Sequence, residues 1–251
     1  MKRIEKIFIV ICLAVLLIAT ILLYCGLNRY NAGKKDYITI CRLAGMEEGV
    51  GKADQQSLLT TENVMTAENP DYRAWIRIDG TNVNYPVVRE REDGYYLTHT
   101  FRGLDNPCGA IFMDANCSFL ESGNTIIYGH NMRDRSMFGS LKNYLKEDYY
   151  KEHEWIQVVS DGSEYRFRIY SCVLLEDGDS RGYIYDFESM EEKINFIEEM
   201  KGESVITTDY KPDGTETLLT LSTCHGNDSR LLILAAMPRE GGTDVQKEYL
   251  S

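Results

Sequence analysis

The chain has 251 residues, with 39 acidic and 27 basic side chains and a net charge of −12. Nucleic-acid binding requires a positive surface against the phosphates, and the basic residues of this chain form no long run, so we expect no nucleic-acid partner. The 17 tyrosines and only 5 prolines are typical of a folded domain rather than of a disordered chain.

The N-terminal part of the chain has the composition of a membrane span. Residues 7–27 are 21 consecutive residues without a charge, enough for a helix to cross about 30 Å of hydrocarbon. A cleaved signal peptide would have a shorter apolar region and a small-residue cleavage site. Basic residues flank the span almost equally, so their count does not decide its orientation. They are Lys2, Arg3, Lys6, Arg29, Lys34 and Lys35. Because the large domain follows the span, we predict a signal anchor with residues 1–6 in the cytoplasm and the domain outside the cell.

The remaining residues divide into a linker, one domain and a short tail. Residues 28–56 mix Gly, Lys, Asp and Glu with little periodicity, which predicts a stalk. Residues 57–240 are expected to form the domain, and residues 241–251 a C-terminal tail. A first helix is predicted from Ser57 and ends before Asn69, because the residue that precedes Pro70 is pushed out of the helical region.

Short apolar and alternating runs predict that the domain is mainly β. The candidate strands are residues 74–78, 84–88, 110–114, 125–128, 155–160, 165–175, 217–222 and 231–237. Two helices interrupt them, one over residues 136–149 and one after a capping box formed by Ser189 and Glu192. Eight short strands in about 190 residues predict a single closed barrel or a sandwich.

The cysteine pattern favours neither a metal site nor a dense disulfide framework. No C-x-x-C pair occurs, and no two histidines stand at a helical i, i+4 spacing, so we predict no metal site. The seven cysteines are Cys12 and Cys25 in the apolar span, Cys41 just beyond it, and Cys108, Cys117, Cys172 and Cys224 in the domain.

Cys224 is the leading candidate for a reactive side chain. It follows the apolar strand LLTLS and precedes a polar turn, where a side chain can be both rigid and accessible. The alternative is an inert, buried cysteine. Arg230 enters the next strand six residues later, so a tight hairpin would return its guanidinium to the thiol. A nearby cation favours a nucleophilic thiolate and can donate two parallel hydrogen bonds to an oxyanion.

His130 is the best-placed of the four histidines to move a proton. It follows the apolar run TIIYG and so lies at a strand end, as Cys224 does. His225 is adjacent to Cys224, but neighbouring strand residues point to opposite faces. His153 lies in a charged stretch and is predicted to be on the surface, and the position of His99 is ambiguous. A cysteine, a histidine and an arginine at strand ends together imply acyl transfer through a thioester.

Several segments of the chain resemble the sortases, the cysteine transpeptidases of Gram-positive bacterial surfaces. TLSTC followed by an arginine, with YGHN upstream, carries the resemblance. The segments NPDYRAWIRIDGTNVNYPVV, AIFMD and TIIYGHNMRDRSMFGSLKNY are similar to class B sortases, as is the long helix-containing insert before residue 217. The resemblance covers about residues 57–238. It implies an eight-stranded β-barrel with flanking helices.

By motif, His130, Cys224 and Arg230 match the catalytic residues of the family. Ser222 matches a position that contacts substrate, and Leu97 is expected to line the peptide groove. The resemblance implies cleavage of a sorting signal after threonine and transfer to an amine of peptidoglycan or its lipid-linked precursor, without a cofactor. Two features depart from the class B pattern. The turn between Cys224 and Arg230 is short, and His225 replaces a residue that is often acidic. These departures concern the details of substrate binding and not the three catalytic residues.

Two other functions fit the same residues. One is a thiol protease that hydrolyses its thioester, and the other is a non-catalytic peptide-binding barrel. Pilus assembly is a variant of the transpeptidase function. Transfer to an added amine distinguishes the transpeptidase from the protease, and unchanged but tightly bound peptide would indicate the binding barrel.

Overall fold

The computed structural model describes residues 2–47, 55–91, 94–226 and 228–239. Its eight strands all lie where the sequence predicts strands, with ends that differ by at most three residues. They are β1 (Tyr72–Arg77), β2 (Asn84–Arg89), β3 (Ile111–Met113), β4 (Asn124–Tyr128), β5 (Trp155–Ser160), β6 (Ser163–Glu176), β7 (Leu218–His225) and β8 (Ser229–Ala236). Between them, apolar residues fill the two core clusters that hold the fold together.

The strands close into one barrel in the order β1-β2-β3-β4-β7-β8-β6-β5, and β5 pairs back to β1. The fold is therefore the closed barrel rather than the sandwich. Closure leaves no unpaired sheet edge, which removes the usual hazard of edge-to-edge association. Two of the pairings are parallel, β2 with β3 and β4 with β7, and the second of these builds the site described below.

The helices are α1 (Lys2–Leu43), α2 (Gln55–Glu68), α3 (Tyr95–Thr98), α4 (Glu147–Glu152) and α5 (Met190–Gly202). The sequence predicted α2 and α5 correctly. Ser189 caps α5 as expected, because its hydroxyl accepts a hydrogen bond from the backbone N–H of Glu192 at 3.1 Å.

The linker expectation is wrong in one respect, because α1 does not end at the apolar span. The helix continues to Leu43 and packs on the barrel, where Tyr37 and Ile40 are buried. The buried residues of this segment recur every three to four positions, which is helical spacing. Polar residues between them make this spacing hard to recognise in the sequence. Residues 48–54 of the expected stalk, and the predicted tail 241–251, lie outside the described residues.

A second correction concerns the helix predicted over residues 136–149. The chain there forms turns, a short 3-10 helix (Leu141–Leu145) and then α4. Arg135 and Met137 adopt positive φ angles of 67° and 52°, which a continuous right-handed helix does not allow. The turn is fixed by backbone hydrogen bonds from Phe138 and Met132 to the carbonyl of His130, at 3.0 and 3.1 Å.

The N-terminal helix is long and apolar enough to cross a membrane. The segment Lys6–Leu43 includes a strongly apolar window, and the side chains of that window are not buried against the domain. A helix that is apolar on all sides and uncovered by protein is stable in a lipid environment.

Candidate active site

The parallel pair β4 and β7 brings two reactive residues to the same edge of the barrel. Tyr128 at the end of β4 pairs with Ser222 in β7, and the backbone N–H of Gly129 donates to the carbonyl of Ser222 at 3.1 Å. Because parallel strands point the same way, the residues that follow these positions, His130 and Cys224, emerge at the same end. The two strands thus position both side chains, although 94 residues separate them in sequence.

Cys224 and Arg230 are direct partners across the antiparallel pair β7–β8. The guanidinium Nη1 of Arg230 donates to Sγ of Cys224 at 2.6 Å. The sequence placed Cys224 just after its strand, but β7 runs on to His225, so the cysteine is held within the ladder. This rigidity matters because a nucleophile fixed beside a cation needs little reorganisation before it attacks.

Asp177, at the end of β6, holds the other side of the Arg230 guanidinium. Its Oδ1 lies 2.9 Å from both Nε and Nη2 of the arginine. The pKa of Arg230 is raised: partial burial lowers it, but electrostatic interaction with Cys224 and the hydrogen bond to Asp177 outweigh that effect. Arg230 therefore keeps its charge and points Nη1 at the sulfur.

His130 and Asn131 connect the histidine loop to its surroundings. Nε2 of His130 lies 2.7 Å from the backbone carbonyl of Leu97. Because a carbonyl oxygen only accepts, Nε2 carries a proton in this arrangement. Asn131 Nδ2 donates to the carbonyl of Cys224 at 2.8 Å, which ties the loop to the end of β7.

His130, Cys224 and Arg230 line one groove with a volume of about 750 Å³, which Ser222 and Leu97 also line. The structure thus brings together all five residues singled out in the sequence. Leu97 is 44% exposed, so its side chain is accessible from the groove. Ser222 is buried, and its hydroxyl lies 2.9 Å from that of Tyr183.

Three residues around this groove were not predicted from the sequence: Tyr128, Tyr183 and Asp177. Tyr183 stacks on Tyr128 with ring centroids 6.1 Å apart, and Tyr128 in turn stacks on Phe112 at 5.3 Å. This aromatic row forms one wall beside Cys224. Only the position of Tyr128 directly before GHN gave a signal, since Tyr183 and Asp177 lie in an insert without periodicity.

The other histidines have structural contacts elsewhere. His99 stacks on the ring of Tyr95 at 4.1 Å, and its Nδ1 is 2.9 Å from the Tyr95 carbonyl. His153 packs edge-on against Tyr149 at 4.3 Å. His225 pairs with Ser229 in the ladder, one residue beyond the Cys224 pair. Within the described parts of the chain, no group of three or more His, Cys, Asp or Glu side chains could hold a metal ion.

Asp177→Asn is expected to lower kcat/KM for peptide turnover by about fivefold, equal to about 1 kcal/mol, the upper range for an exposed ion pair. The amide keeps the shape of the side chain but loses the charge that orients Arg230. Steady-state kinetics at low salt measure the effect. Asp209→Asn is the matched control, because Asp209 is also an exposed carboxylate paired with an arginine, Arg168. Equal kinetics for the two variants would contradict the positioning of Arg230 by Asp177.

A membrane-impermeant, anionic thiol reagent is expected to modify Cys224 before any other cysteine at pH 7–8. All seven cysteines are free, and burial raises the pKa of Cys41, Cys108 and Cys117 to about 11 and that of Cys172 to about 12. Those four thiols become reactive only as the pH rises towards these values, and Cys12 and Cys25 lie in the apolar span. Peptide mapping by mass spectrometry identifies the first adduct, and an adduct on a different cysteine would contradict the expectation.

Comparison with known proteins agrees with this geometry. The Sortase domain family matches residues 76–238. Sortase B of Staphylococcus aureus is 34% identical over 158 residues, which are 62% of this chain and 64% of that protein, slightly less than two thirds of the relative. A mutant form of Clostridium perfringens sortase B has a TM-score of 0.76 at 25% identity, covering 82% of this chain and 98% of that one. A sortase B complexed with triglycine has a TM-score of 0.75 at 26% identity, covering 83% and 98%. The chain belongs to the sortase family, and these relatives are class B sortases.

Proposed function

We propose that the protein is a membrane-anchored cysteine transpeptidase that cleaves a sorting signal after threonine and transfers the acyl group to an amine of peptidoglycan. The observation that carries this proposal is the 2.6 Å contact between Arg230 Nη1 and Cys224 Sγ in a groove that His130 also lines. A guanidinium in contact with sulfur favours the thiolate, which is the nucleophilic form.

In the first half-reaction, the thiolate of Cys224 attacks the carbonyl carbon of the threonine. Arg230 donates hydrogen bonds to the oxyanion that forms, since its guanidinium is already fixed beside the sulfur. The C–N bond of the peptide breaks, and the imidazolium of His130 gives its proton to the departing amine. The products are a thioester on Cys224 and a free C-terminal peptide fragment.

In the second half-reaction, an amine attacks the thioester carbonyl. Neutral His130 takes a proton from the attacking nitrogen, the C–S bond breaks and Cys224 leaves as a thiolate. The relative complexed with triglycine supports a primary amine of a short peptide as the acceptor class. Peptidoglycan and its lipid-linked precursor both offer such an amine at the cell surface.

The N-terminal helix supports a location at the cell membrane. We propose that residues 7–27 span the bilayer once, with residues 1–6 in the cytoplasm and the barrel outside, where the cell wall is assembled. Residues 57–240 would form the catalytic domain, and Ser222 and Leu97 would contact the sorting peptide. The groove is large enough for a short extended peptide.

The test incubates the full-length chain in detergent with a small library of threonine-containing sorting peptides, with and without triglycine or diaminopimelate. The expected result is cleavage after threonine and, with amine, a new amide product detected by mass spectrometry. Hydrolysis products alone at every amine concentration would indicate a thiol protease. Intact peptide that stays bound would indicate a binding barrel.

A further inference from the structure

The C-terminal part of α1 is packed against the segments that carry the histidine. We call residues 29–43 of α1 the docked segment. Its Tyr37 is 5% exposed and its Ile40 is fully buried, so this part of the helix belongs to the barrel and not to a free stalk. A single helix therefore continues from the membrane span into the fold.

The hydroxyl of Tyr37 joins two backbone groups of the 95–110 segment. It donates to the carbonyl of Gly109 at 2.8 Å and accepts from the backbone N–H of Phe101 at 3.2 Å. Both bonds are buried, where loss of a partner leaves an unsatisfied polar group and so shifts the backbone. Tyr37 thus contributes to the position of Gly109, together with the backbone hydrogen bond from Gly109 to Asn106.

Gly109 lies close to the histidine and to the carbonyl that binds it, with no room for a side chain between them. It adopts a φ of +57°, and a Cβ added to it would lie 2.8 Å from the carbonyl oxygen of Leu97 and 3.1 Å from Cδ2 of His130. The same carbonyl of Leu97 accepts the hydrogen bond from His130 Nε2. A shift of Gly109 would therefore move both the ring and its hydrogen-bond partner.

A second contact joins the docked segment to the loop after the histidine. Lys34 forms an ion pair with Asp134 at 3.5 Å, and Tyr30 is hydrogen-bonded to the same carboxylate. Partial burial would raise the pKa of Asp134, but hydrogen bonds from Ser136 and Tyr30 lower it to about 2. Asp134 therefore stays charged and keeps its contacts with the helix at every physiological pH.

We propose that the docked segment, through Tyr37, is a positioning element for His130. The Tyr37 hydroxyl sets the Gly109 backbone, and Gly109 sets the ring and the Leu97 carbonyl that hold the imidazole in place for proton transfer. The role of His130 in this inference rests on the proposed function. The membrane anchor is then part of the support of the active site and not only a tether.

The test compares Tyr37→Phe with Tyr170→Phe in the full-length chain in phospholipid nanodiscs. Tyr170 is a suitable control because it is fully buried and its hydroxyl has no hydrogen-bond partner in the described part of the chain. Both variants keep the ring, and thermal melting verifies that both fold. For Tyr37→Phe we expect kcat to fall about tenfold with KM within twofold, since small displacements of a proton donor mainly slow the chemical step.

A second readout does not depend on turnover. In protein labelled with ¹⁵N-histidine, the ring nitrogens of His130, assigned with His130→Gln, are expected to change chemical shift in Tyr37→Phe and to stay unchanged in Tyr170→Phe. Lys34→Gln, which removes the other contact at an exposed position, should move the same resonances by a smaller amount. Unmoved resonances in Tyr37→Phe would overturn the proposal, even if kcat fell.

The two readouts separate the two hypotheses. If the wild-type chain cleaves no sorting peptide, the proposed function fails, while the chemical shifts still decide whether Tyr37 positions His130. If the wild type is active and Tyr37→Phe matches Tyr170→Phe in both kcat and chemical shifts, only the positioning role fails.

Discussion

Cys224→Ala is expected to lower turnover of a threonine-containing sorting peptide by about 10⁴-fold or more, the usual effect of removing a covalent nucleophile. The Ser222 hydroxyl cannot replace the thiolate, because Ser222 is buried and its hydroxyl is bonded to that of Tyr183. Product formation measured by mass spectrometry gives the rate. The variant should still fold, since alanine keeps the β7–β8 pairing and the hydrogen bond from Asn131 to the backbone carbonyl, and removes only the side-chain contact with Arg230.

Cys12→Ala is the control, because it removes a thiol elsewhere in the chain and leaves Cys224 in place. Cys12 is an exposed residue of α1, in the apolar part of the helix, and its substitution is expected to have no effect on rate. Residual activity of Cys224→Ala above about 1% of wild type would point to a different nucleophile and would contradict the proposed thioester.

His130→Gln is expected to lower kcat by about 10²- to 10⁴-fold, the usual contribution of a general acid and base. Glutamine can still donate a hydrogen bond to the Leu97 carbonyl, as His130 Nε2 does at 2.7 Å. It cannot carry a proton to the departing amine. The substitution therefore separates proton transfer from the structural role of the side chain, and steady-state kinetics with saturating peptide measure the loss.

His153→Gln is the matched control for this variant. His153 is half-buried and packs against Tyr149 outside the groove, so we expect kcat of this variant to stay within about twofold of wild type. A His130→Gln variant that keeps kcat within about tenfold of wild type would show that the protons move through another group.

The strands of the barrel were predictable because each carries its own local signal. Apolar runs bounded by turn residues identify all eight, and Ser189 with Glu192 identifies the start of α5. The order of the strands has no such signal. That β4 lies parallel to β7, and not beside β5, depends on contacts between residues about 94 positions apart. Strand-end position alone favoured His130 and suggested that it acts with Cys224, and the resemblance to sortases implies the same pair.

The residues that support the catalytic side chains could not be found in the sequence, because they too act through contacts between distant parts of the chain. Asp177 reaches Arg230 from the end of β6, and Tyr37 reaches Gly109 from the helix that also contains the apolar N-terminal segment. Neither residue stands in a motif, and an aspartate in a polar loop or a tyrosine in a helix is ordinary. The irregular chain around Met137 was missed because its apolar residues have helical spacing while its backbone does not.

A thioester on Cys224 would be visible in the mass of the enzyme itself. The full-length chain is mixed with a cleavable sorting peptide without any amine, quenched in acid and digested for peptide mapping. We expect an added mass on Cys224 that corresponds to the peptide up to its threonine, and we expect this mass to disappear when triglycine is supplied. Product formation with no adduct on Cys224, or with an adduct on another residue, would contradict a thioester on Cys224.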